Sequence, residues 1–290
     1  MFVCPDCKTP LTNLFCERCK FQFQKTDDIP VLFTREDRFQ SATKIGDAYN
    51  DIYTKHSNVW NDQGRTPEFI QYFGALAQRL SAGKVLEIGC GEGFLLAALN
   101  ASEKTAIDIS TEALRKARSR TQAEFAAALA ERLPFADKSF DLVISVGVME
   151  HFIEDRDATR EIYRVLRDDG HYVMLIHVEL SSSKRLALKF SEYIFPNFHP
   201  IALARWLFMK ATRAIIQPIQ RRYTVETARA CLEESGLRIS RLVSKETDPV
   251  AALSGPHVVL FVASKNLRAF GDDLHSTSQT PATSGTSLRY

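Results

Sequence analysis

A glycine-rich segment near residue 90 constrains the fold of this chain more than any other feature. Residues 84–88 (Lys-Val-Leu-Glu-Ile) predict a buried strand, residues 89–93 (Gly-Cys-Gly-Glu-Gly) form a loop, and residues 94–99 predict a helix. Strand, glycine loop and helix in this order make the cradle that nucleotide-type ligands use in α/β proteins. The segment therefore predicts an α/β fold with such a ligand.

The residues around the loop argue against a dinucleotide. A pyrophosphate fingerprint has Gly or Ala at its sixth position, where this chain has Phe94. Glu87, two residues before Gly89, would instead suit a cationic group such as the ammonium of a methionyl ligand. Asp108 ends a second predicted strand 19 residues beyond Gly89, a spacing that places a carboxylate on ribose hydroxyls.

Composition excludes several other classes of protein. The 290 residues are 45% apolar and carry 37 Lys plus Arg against 35 Asp plus Glu, which excludes a collagenous, disordered or disulfide-dense chain. No apolar run approaches the roughly 18 residues that span a bilayer, and the N-terminus does not resemble a signal peptide. We expect a soluble, cytoplasmic protein.

Several motifs together resemble class I S-adenosylmethionine-dependent methyltransferases over about residues 45–265. They are the Glu87-x-Gly89-x-Gly91-x-Gly93 loop, Asp108, the Leu-Pro-Phe segment 133–135, residues 140–145 (Phe-Asp-Leu-Val-Ile-Ser), and residues 161–166 followed by Gly170. The resemblance implies a seven-stranded Rossmann-like sheet with helices on both faces. Its strands are expected at 84–88, 104–109, 124–128, 140–146, 171–178, 237–245 and 257–264. The third strand depends on the resemblance, because its Ala-rich sequence favours a helix.

The same resemblance implies roles for individual residues. The glycine loop would line the cofactor S-adenosylmethionine, Glu87 would hold its methionyl end, and Asp108 its ribose. Leu129 stands where an acid commonly contacts the adenine amino group. Plain packing is the alternative for the two tyrosines of the expected lid helix. The full set of expected cofactor residues is Tyr49, Tyr53, Glu87, Gly89, Gly91, Gly93, Asp108, Ile109, Ala130, Glu131 and Ser145.

Methyl transfer from a sulfonium needs a base only when the acceptor is protonated. Residues 145–148 (Ser-Val-Gly-Val) lack the Asn/Asp-Pro-Pro-Tyr sequence of adenine and glutamine N-methyltransferases, and neither Cys90 nor Cys231 is a good nucleophile candidate. His151 is the candidate general base.

Glu150 and His151 form a pair that resembles ubiquinone-biosynthesis O-methyltransferases, although Gly147 replaces the upstream acid that helps to hold a cation there. Alternatively, His151 only caps or packs the helix. His177 and Glu179 are second candidates.

Four of the six cysteines lie in the first twenty residues. Cys4, Cys7, Cys16 and Cys19 form two C-x2-C pairs with zinc-ribbon spacing, which suits tetrahedral Zn²⁺. Disulfides or a redox dithiol are the alternatives. Residues 1–34 resemble the small zinc-ribbon family that activates tRNA and translation-factor methyltransferases, often as a separate subunit covering an apolar edge of the enzyme.

The chain divides into four expected parts. They are a zinc-ribbon module (1–34), a linker and lid helix (35–64), a methyltransferase domain (65–267) and a disordered tail (268–290). Within the domain, the expected acceptor cap at 181–222 has eight basic residues and one acid, so its net charge is +7 and that of the remainder is +2 minus +7, or −5. This suggests an acceptor with anionic and apolar parts, an anionic membrane surface or nucleic acid, unless the charges are simply solvated.

The leading functional hypothesis is a methyltransferase that acts on a hydroxyl of a small molecule, glycan or lipid-linked intermediate. The alternatives are an RNA methyltransferase that uses ribbon and cap to hold nucleic acid, and a cofactor-binding scaffold without turnover. The sequence leaves the oligomeric state open.

Overall fold

Eleven strands form a nine-stranded mixed sheet and a small two-stranded hairpin in the computed structural model, which describes residues 2–56, 66–80, 83–179, 218–244 and 257–266. The strands are β1 (Phe15–Cys16), β2 (Phe21–Gln22), β3 (Gln24–Thr26), β4 (Ile29–Val31), β5 (Lys84–Ile88), β6 (Glu103–Asp108), β7 (Glu124–Ala127), β8 (Phe140–Val146), β9 (Leu166–His177), β10 (Arg238–Ser244) and β11 (Val258–Ser264). The helices are α1 (Ala42–Lys55), α2 (Pro67–Arg79), α3 (Phe94–Ala98), α4 (Thr111–Arg120), α5 (Asp155–Val165) and α6 (Val225–Glu234).

The large sheet has the order β10-β11-β9-β8-β5-β6-β7-β4-β3. Strands β4 to β9 pair in parallel, whereas β11 is antiparallel to both β9 and β10, and β3 is antiparallel to β4. From β5 the chain builds outward through β6 and β7, and then returns to form β8 on the other side of β5. In open α/β sheets, such a reversal leaves a crevice at the carboxyl ends of the strands, and ligands bind there.

Strand β7 shows how tertiary pairing overrides local propensity. Its residues pair in parallel with β6, from Thr105 opposite Glu124 to Asp108 opposite Ala127. Ala126 and Ala127 are fully buried, so the small side chains fit between the sheet and the helices that cover it. The strand expected at 124–128 is therefore present although its composition favours a helix.

Helices cover both faces of the sheet with their apolar sides. One buried cluster includes Phe73 of α2, Leu96 of α3 and Leu114 of α4, and the other includes Ile162 of α5 and Leu232 of α6. Thr66 caps the start of α2, because its hydroxyl accepts a hydrogen bond from the Phe69 amide at 3.2 Å. None of the helices in the described ranges combines the length and apolarity that crossing a membrane requires.

The sheet has two strands more than the seven expected, because the N-terminal module extends it. Val31 of β4 pairs in parallel with Ala127 of β7, and the Leu32 amide donates to the Ala127 carbonyl at 2.7 Å. Strands β3 and β4 are three residues each, too short for an alternating pattern to reveal them in the sequence. Main-chain pairing thus joins the module to the α/β domain.

A partly buried ionic cluster fastens the same module to the helical face. Lys8 Nζ lies 2.7 Å from Glu161 Oε2 and 3.1 Å from the Leu133 carbonyl oxygen, while Arg164 Nε lies 2.7 Å from Glu161 Oε1. Burial alone would raise the pKa of Glu161, but the Arg164 hydrogen bonds and the Lys8 charge outweigh it and lower that pKa overall. Glu161 therefore ties α5 to the N-terminal module as an ionised group.

We predict that Leu32→Ala destabilises the whole described domain by about 2–5 kcal/mol, because Leu32 is fully buried in the core that the module shares with α5 and α6. Urea unfolding followed by far-ultraviolet circular dichroism measures this as a lower midpoint of one cooperative transition. Lys20→Ala, on an exposed side chain of the same module, is the control and should change stability by less than about 0.5 kcal/mol. A main transition unaffected by Leu32→Ala would mean that the module folds separately.

Candidate functional site

A cavity of about 550 Å³ opens at the carboxyl edge of the sheet, beside the reversal of strand order. Its walls come from residues at or following the ends of β5 to β9, from helix α1, and from segments 220–222 and 257. The lining residues that carry the argument below are Tyr49, Tyr53, Gly89, Asp108, Ile109, Ala130, Glu131, Glu150, His151, His177, Glu179, Arg221, Arg222 and His257. The volume is within the roughly 300–1,000 Å³ typical of small-ligand sites.

Asp108 holds the glycine loop against the end of the second strand. Its Oδ2 accepts from the Gly91 amide and its Oδ1 from the Ser110 amide, both at 2.9 Å. The Gly89 amide donates to the Ile107 carbonyl at 2.8 Å. A carboxylate oxygen can accept more than one hydrogen bond, and Asp108 also lines the cavity.

Two glycines of the loop are needed for close approach. Gly89 has φ +66°, and a Cβ there would lie 2.5 Å from Cγ2 of Val148; Gly93 has φ +74°, and its Cβ would lie 2.8 Å from that of Ala117. Of the three glycines, Gly89 alone lines the cavity. Gly93 lets α4 pack against the loop, and Gly91 serves through its amide to Asp108.

Ser145, one of the expected cofactor residues, does not line the cavity. Its hydroxyl lies 2.7 Å from the Tyr172 hydroxyl, and both residues are fully buried. Side chains alternate along β8, so Ser145 faces the core and the cavity wall comes from Val146, Gly147 and Val148. Glu87 is likewise buried, at 1% exposure, and does not line the cavity.

Helix α1, the expected lid helix, contributes one wall of the cavity. Tyr49 and Tyr53 are both buried and line it. Asn50 fixes the helix to the start of α4, because its Oδ1 accepts from Ser110 Oγ at 2.8 Å and from the Glu112 amide at 3.1 Å. This connection links the lid to the loop that carries Asp108.

The Tyr49 hydroxyl is buried and has no hydrogen-bond partner among the residues that the structure describes. Burial, together with the charges of Asp108 and Glu150, raises its pKa, so the hydroxyl stays protonated. A buried polar atom in a cavity wall can make its missing hydrogen bond with a ligand.

The expected adenine-side residues Ile109, Ala130 and Glu131 line the cavity. Glu131 also contacts the main chain, because its Oε1 accepts from the amides of Ile153 and Glu154 at 2.6 and 3.1 Å. Burial raises its pKa despite these bonds. Glu131 thus fixes the start of α5 at the edge of the site.

Three histidines among the described residues line the cavity, and Glu150 contacts one that the leading hypothesis did not choose. Glu150 Oε1 accepts from the His177 amide at 2.7 Å and pairs with His177 Nδ1 at 3.0 Å. His151 Nδ1 instead lies 2.5 Å from the Ile219 carbonyl oxygen. The His257 ring is 5.7 Å from that of His177. His257 was not predicted from the sequence as a site residue, because it reaches the cavity only through the antiparallel pairing of β11 with β9.

Carboxylates outnumber arginines in the described part of the cavity wall. It contains Asp108, Glu131, Glu150 and Glu179 against Arg221 and Arg222. Arg222 pairs with Glu179 at 3.0 Å, and Arg221 Nη1 lies 3.8 Å from Asp155 Oδ2. These walls therefore suit a cationic ligand. Most of the expected basic cap, with Arg205 and Trp206, lies outside the described residues, as does the expected tail at 268–290.

The four N-terminal cysteines converge on one point. Their sulfur atoms all lie within 4.8 Å of one another, with Cys4 and Cys19 at 3.9 Å and Cys7 and Cys16 at 3.5 Å. A tetrahedral ion with Zn–S bonds of about 2.3 Å requires sulfurs about 3.8 Å apart. The donor set therefore fits a zinc ion in both chemistry and spacing.

Cys231 lies in the buried core and is not among the described residues that line the cavity. Burial raises the pKa of its thiol to about 11, and its sulfur contacts the Thr159 hydroxyl inside the core. As expected, it is not an activated nucleophile.

Comparison with known sequences identifies the central segment. Residues 86–174 match the family described as "Methyltransferase domain". A probable S-adenosylmethionine-dependent methyltransferase of Mycobacterium tuberculosis is 40% identical over 98 residues, covering 33% of this chain and 36% of that protein. A phthiotriol/phenolphthiotriol dimycocerosates methyltransferase of Mycobacterium leprae is 32% identical over 114 residues, covering 37% of this chain and 41% of that protein. The chain thus spans about two fifths of the length of these curated relatives.

Comparison with solved structures shows the fold. The crystal structure of an S-adenosylmethionine-dependent methyltransferase from Thermotoga maritima, described as a possible histamine N-methyltransferase, superposes with a TM-score of 0.52 at 19% identity, covering 77% of this chain and 99% of that chain. The predicted Rossmann-like methyltransferase fold is confirmed.

We predict that Gly89→Ala lowers the free energy of unfolding by about 1–2 kcal/mol from its left-handed backbone alone, with a further loss from overlap with Val148. The double variant Gly89→Ala/Val148→Ala should recover the overlap part, which gives a coupling energy of about 0.5–3 kcal/mol in a urea-denaturation cycle. Val148→Ala alone is the matched control. Strict additivity of the two single changes would show that the loop does not contact Val148 as described.

Proposed function

We propose that this chain is an S-adenosylmethionine-dependent methyltransferase whose cofactor occupies the cavity at the carboxyl edge of the sheet. The observation that carries the proposal is the position of Asp108. It ends the strand next to the glycine loop, holds that loop through the Gly91 amide and lines the cavity at the reversal of strand order. The methyltransferase-domain match covers the same segment.

The cofactor roles follow from the positions of the lining residues. Asp108 would accept hydrogen bonds from the ribose hydroxyls, Ile109 and Ala130 would contact the adenine, and Gly89 would let the ligand approach the backbone. Glu131 would lie at the adenine edge, while Tyr49 and Tyr53 close the site from α1. Glu87, Gly91 and Gly93 do not line the cavity and would act indirectly. Glu87 would act through its charge on the methionyl end of the cofactor.

The acidic walls support a cationic methyl donor. S-adenosylmethionine carries a sulfonium and an ammonium against one carboxylate, and the described wall carries four carboxylates against two arginines that are themselves near acids. When bound, the cofactor supplies an activated methyl group. The protein has to position the acceptor in line with it and to remove the acceptor's proton.

The acceptor that we propose is a hydroxyl of a small molecule, glycan or lipid-linked intermediate. Imidazole groups at the cavity suit an acceptor that must lose a proton, and the Mycobacterium leprae relative is named for a phthiotriol-type acceptor. Nucleic acid is not favoured, because the described mouth arginines are already near carboxylates.

We also propose that Cys4, Cys7, Cys16 and Cys19 bind one structural Zn²⁺. Hairpin β1–β2 alone is too small to bury a core, so metal coordination would supply its folding free energy.

We predict that the protein binds S-adenosylmethionine and that Asp108→Asn weakens binding by about 1–3 kcal/mol, the cost of removing a charged hydrogen-bond acceptor. Isothermal titration calorimetry measures this. Glu112→Gln, at the start of the neighbouring helix and paired with Arg115, is the matched control and should bind like the parent. Equal affinity of Asp108→Asn and the parent would show that Asp108 does not bind the ribose. Binding of a nicotinamide dinucleotide instead would refute the proposal.

We predict about one equivalent of zinc per chain in protein prepared reduced and without chelator, measured by elemental analysis. Cys16→Ser should lose the metal and lower the unfolding midpoint of the whole domain, because β4 belongs to the main sheet. Cys231→Ser, away from the cluster, should keep its metal. A metal content below roughly a tenth of an equivalent in the parent would exclude the zinc site.

A further inference from the structure

We propose that His177, oriented by Glu150, is the general base that deprotonates the acceptor hydroxyl, and that His151 has a positioning role instead. This inference rests on the proposed methyl transfer to a hydroxyl. It assigns the proton-transfer step to a pair that sequence proximity does not reveal, since the two residues are 27 positions apart.

Glu150 fixes both the position and the tautomer of His177. It accepts from the His177 amide and from Nδ1 through the same oxygen, Oε1. A carboxylate accepts only, so Nδ1 carries a hydrogen and Nε2 keeps its lone pair. The His177 side chain is half exposed at the cavity, so that lone pair is accessible to an acceptor.

Glu150 is an ionised partner. Burial alone would raise its pKa, but the hydrogen bonds from the His177 side chain and amide outweigh burial and lower that pKa overall. A buried carboxylate behind an imidazole stabilises the imidazolium that forms when the base takes a proton. The geometry is thus that of an acid–histidine pair built for proton abstraction.

His151 has a different partner. Its Nδ1 contacts the uncharged Ile219 carbonyl at 2.5 Å, and its ring lies edge-on to Tyr49 with centroids 6.4 Å apart. The Arg221 amide donates to the Glu150 carbonyl at 2.8 Å, so both contacts hold segment 219–221 at the cavity mouth. His151 therefore serves to fix this segment and the lid.

The other groups near His177 agree with this assignment. The His257 ring is tilted by 31° at 5.7 Å, which supplies a second imidazole beside the first. Glu179 is engaged with Arg222 at 3.0 Å. Gly147 leaves room beside the ring, since a Cβ there would lie 3.6 Å from His177 Cε1.

The proposed reaction is a single displacement at the methyl carbon. The acceptor oxygen forms a bond to the methyl carbon, the carbon–sulfur bond breaks with its electron pair remaining on sulfur, and the hydroxyl proton passes to His177 Nε2. The imidazolium then returns the proton to water, and the products are a methyl ether and the neutral thioether of the spent donor.

The test uses His177→Asn, which keeps a nitrogen donor toward Glu150 but removes Nε2. Radiolabelled transfer from S-adenosylmethionine into the lipid and small-molecule fractions of a cell extract is followed as a function of pH. In the parent, the logarithm of the rate should rise with pH at unit slope and then level off, because the base must be neutral. His177→Asn should lose about 10²–10⁴-fold in rate and lose this rising limb, while its calorimetric affinity for S-adenosylmethionine stays within about twofold.

Three further variants separate the roles. His151→Asn should retain the rising limb. Glu150→Gln should lower the rate, because the imidazolium that forms loses its stabilising charge. His171→Asn, six residues earlier on β9, is the matched control and should behave like the parent. Independently of activity, ¹⁵N NMR of the parent should show hydrogen on Nδ1 of His177, and Glu150→Ala, which removes the acceptor, should abolish that preference.

The proposal is overturned if the rising limb disappears in His151→Asn, if it survives in His177→Asn, or if Nε2 of His177 carries the hydrogen in the parent. If the parent binds no S-adenosylmethionine, the proposed function itself fails and this inference falls with it. Binding and methyl transfer together with a surviving limb in His177→Asn would reject this inference alone.

Discussion

The whole site depends on the parallel pairing of β5 with a strand on each side. β6 pairs with one edge of β5 and β8 with the other, so the ends of three strands reach one rim of the sheet, and the crevice between them follows from the chain path. Asp108 then locks two of the three loops together through backbone amides. A ligand that enters this rim meets groups already held in place, so little conformational entropy has to be lost on binding.

The N-terminal module is part of the same construction. Without β4, strand β7 would expose an unpaired edge, which native sheets cover or interrupt. The module covers that edge with main-chain hydrogen bonds and covers the neighbouring face with Lys8 and apolar side chains. Because residues 128–131 continue from β7 into the cavity wall, the module supports the side of the site where the adenine is proposed to bind.

The sequence was informative where a local pattern matched local structure, as in the apolar run of β5 and the cysteine pairs. It was less informative where long-range pairing decides the outcome. Strands β3 and β4 are too short to show a period, Ser145 faces the core because of the alternation along β8, and Glu150 contacts His177 rather than its neighbour in sequence. His257 could not be placed without the antiparallel pairing of β11.

The ionic contact between Lys8 and Glu161 also has a consequence for biosynthesis. The two residues are 153 positions apart, so during translation the N-terminal module leaves the ribosome long before its partner surface exists. Its own cysteines span only 15 positions from Cys4 to Cys19, and such short-range closure is fast compared with synthesis at about 5–20 residues per second. The module is therefore expected to form its local turns early and to wait, with Lys8 and its apolar side exposed, until α5 has been made.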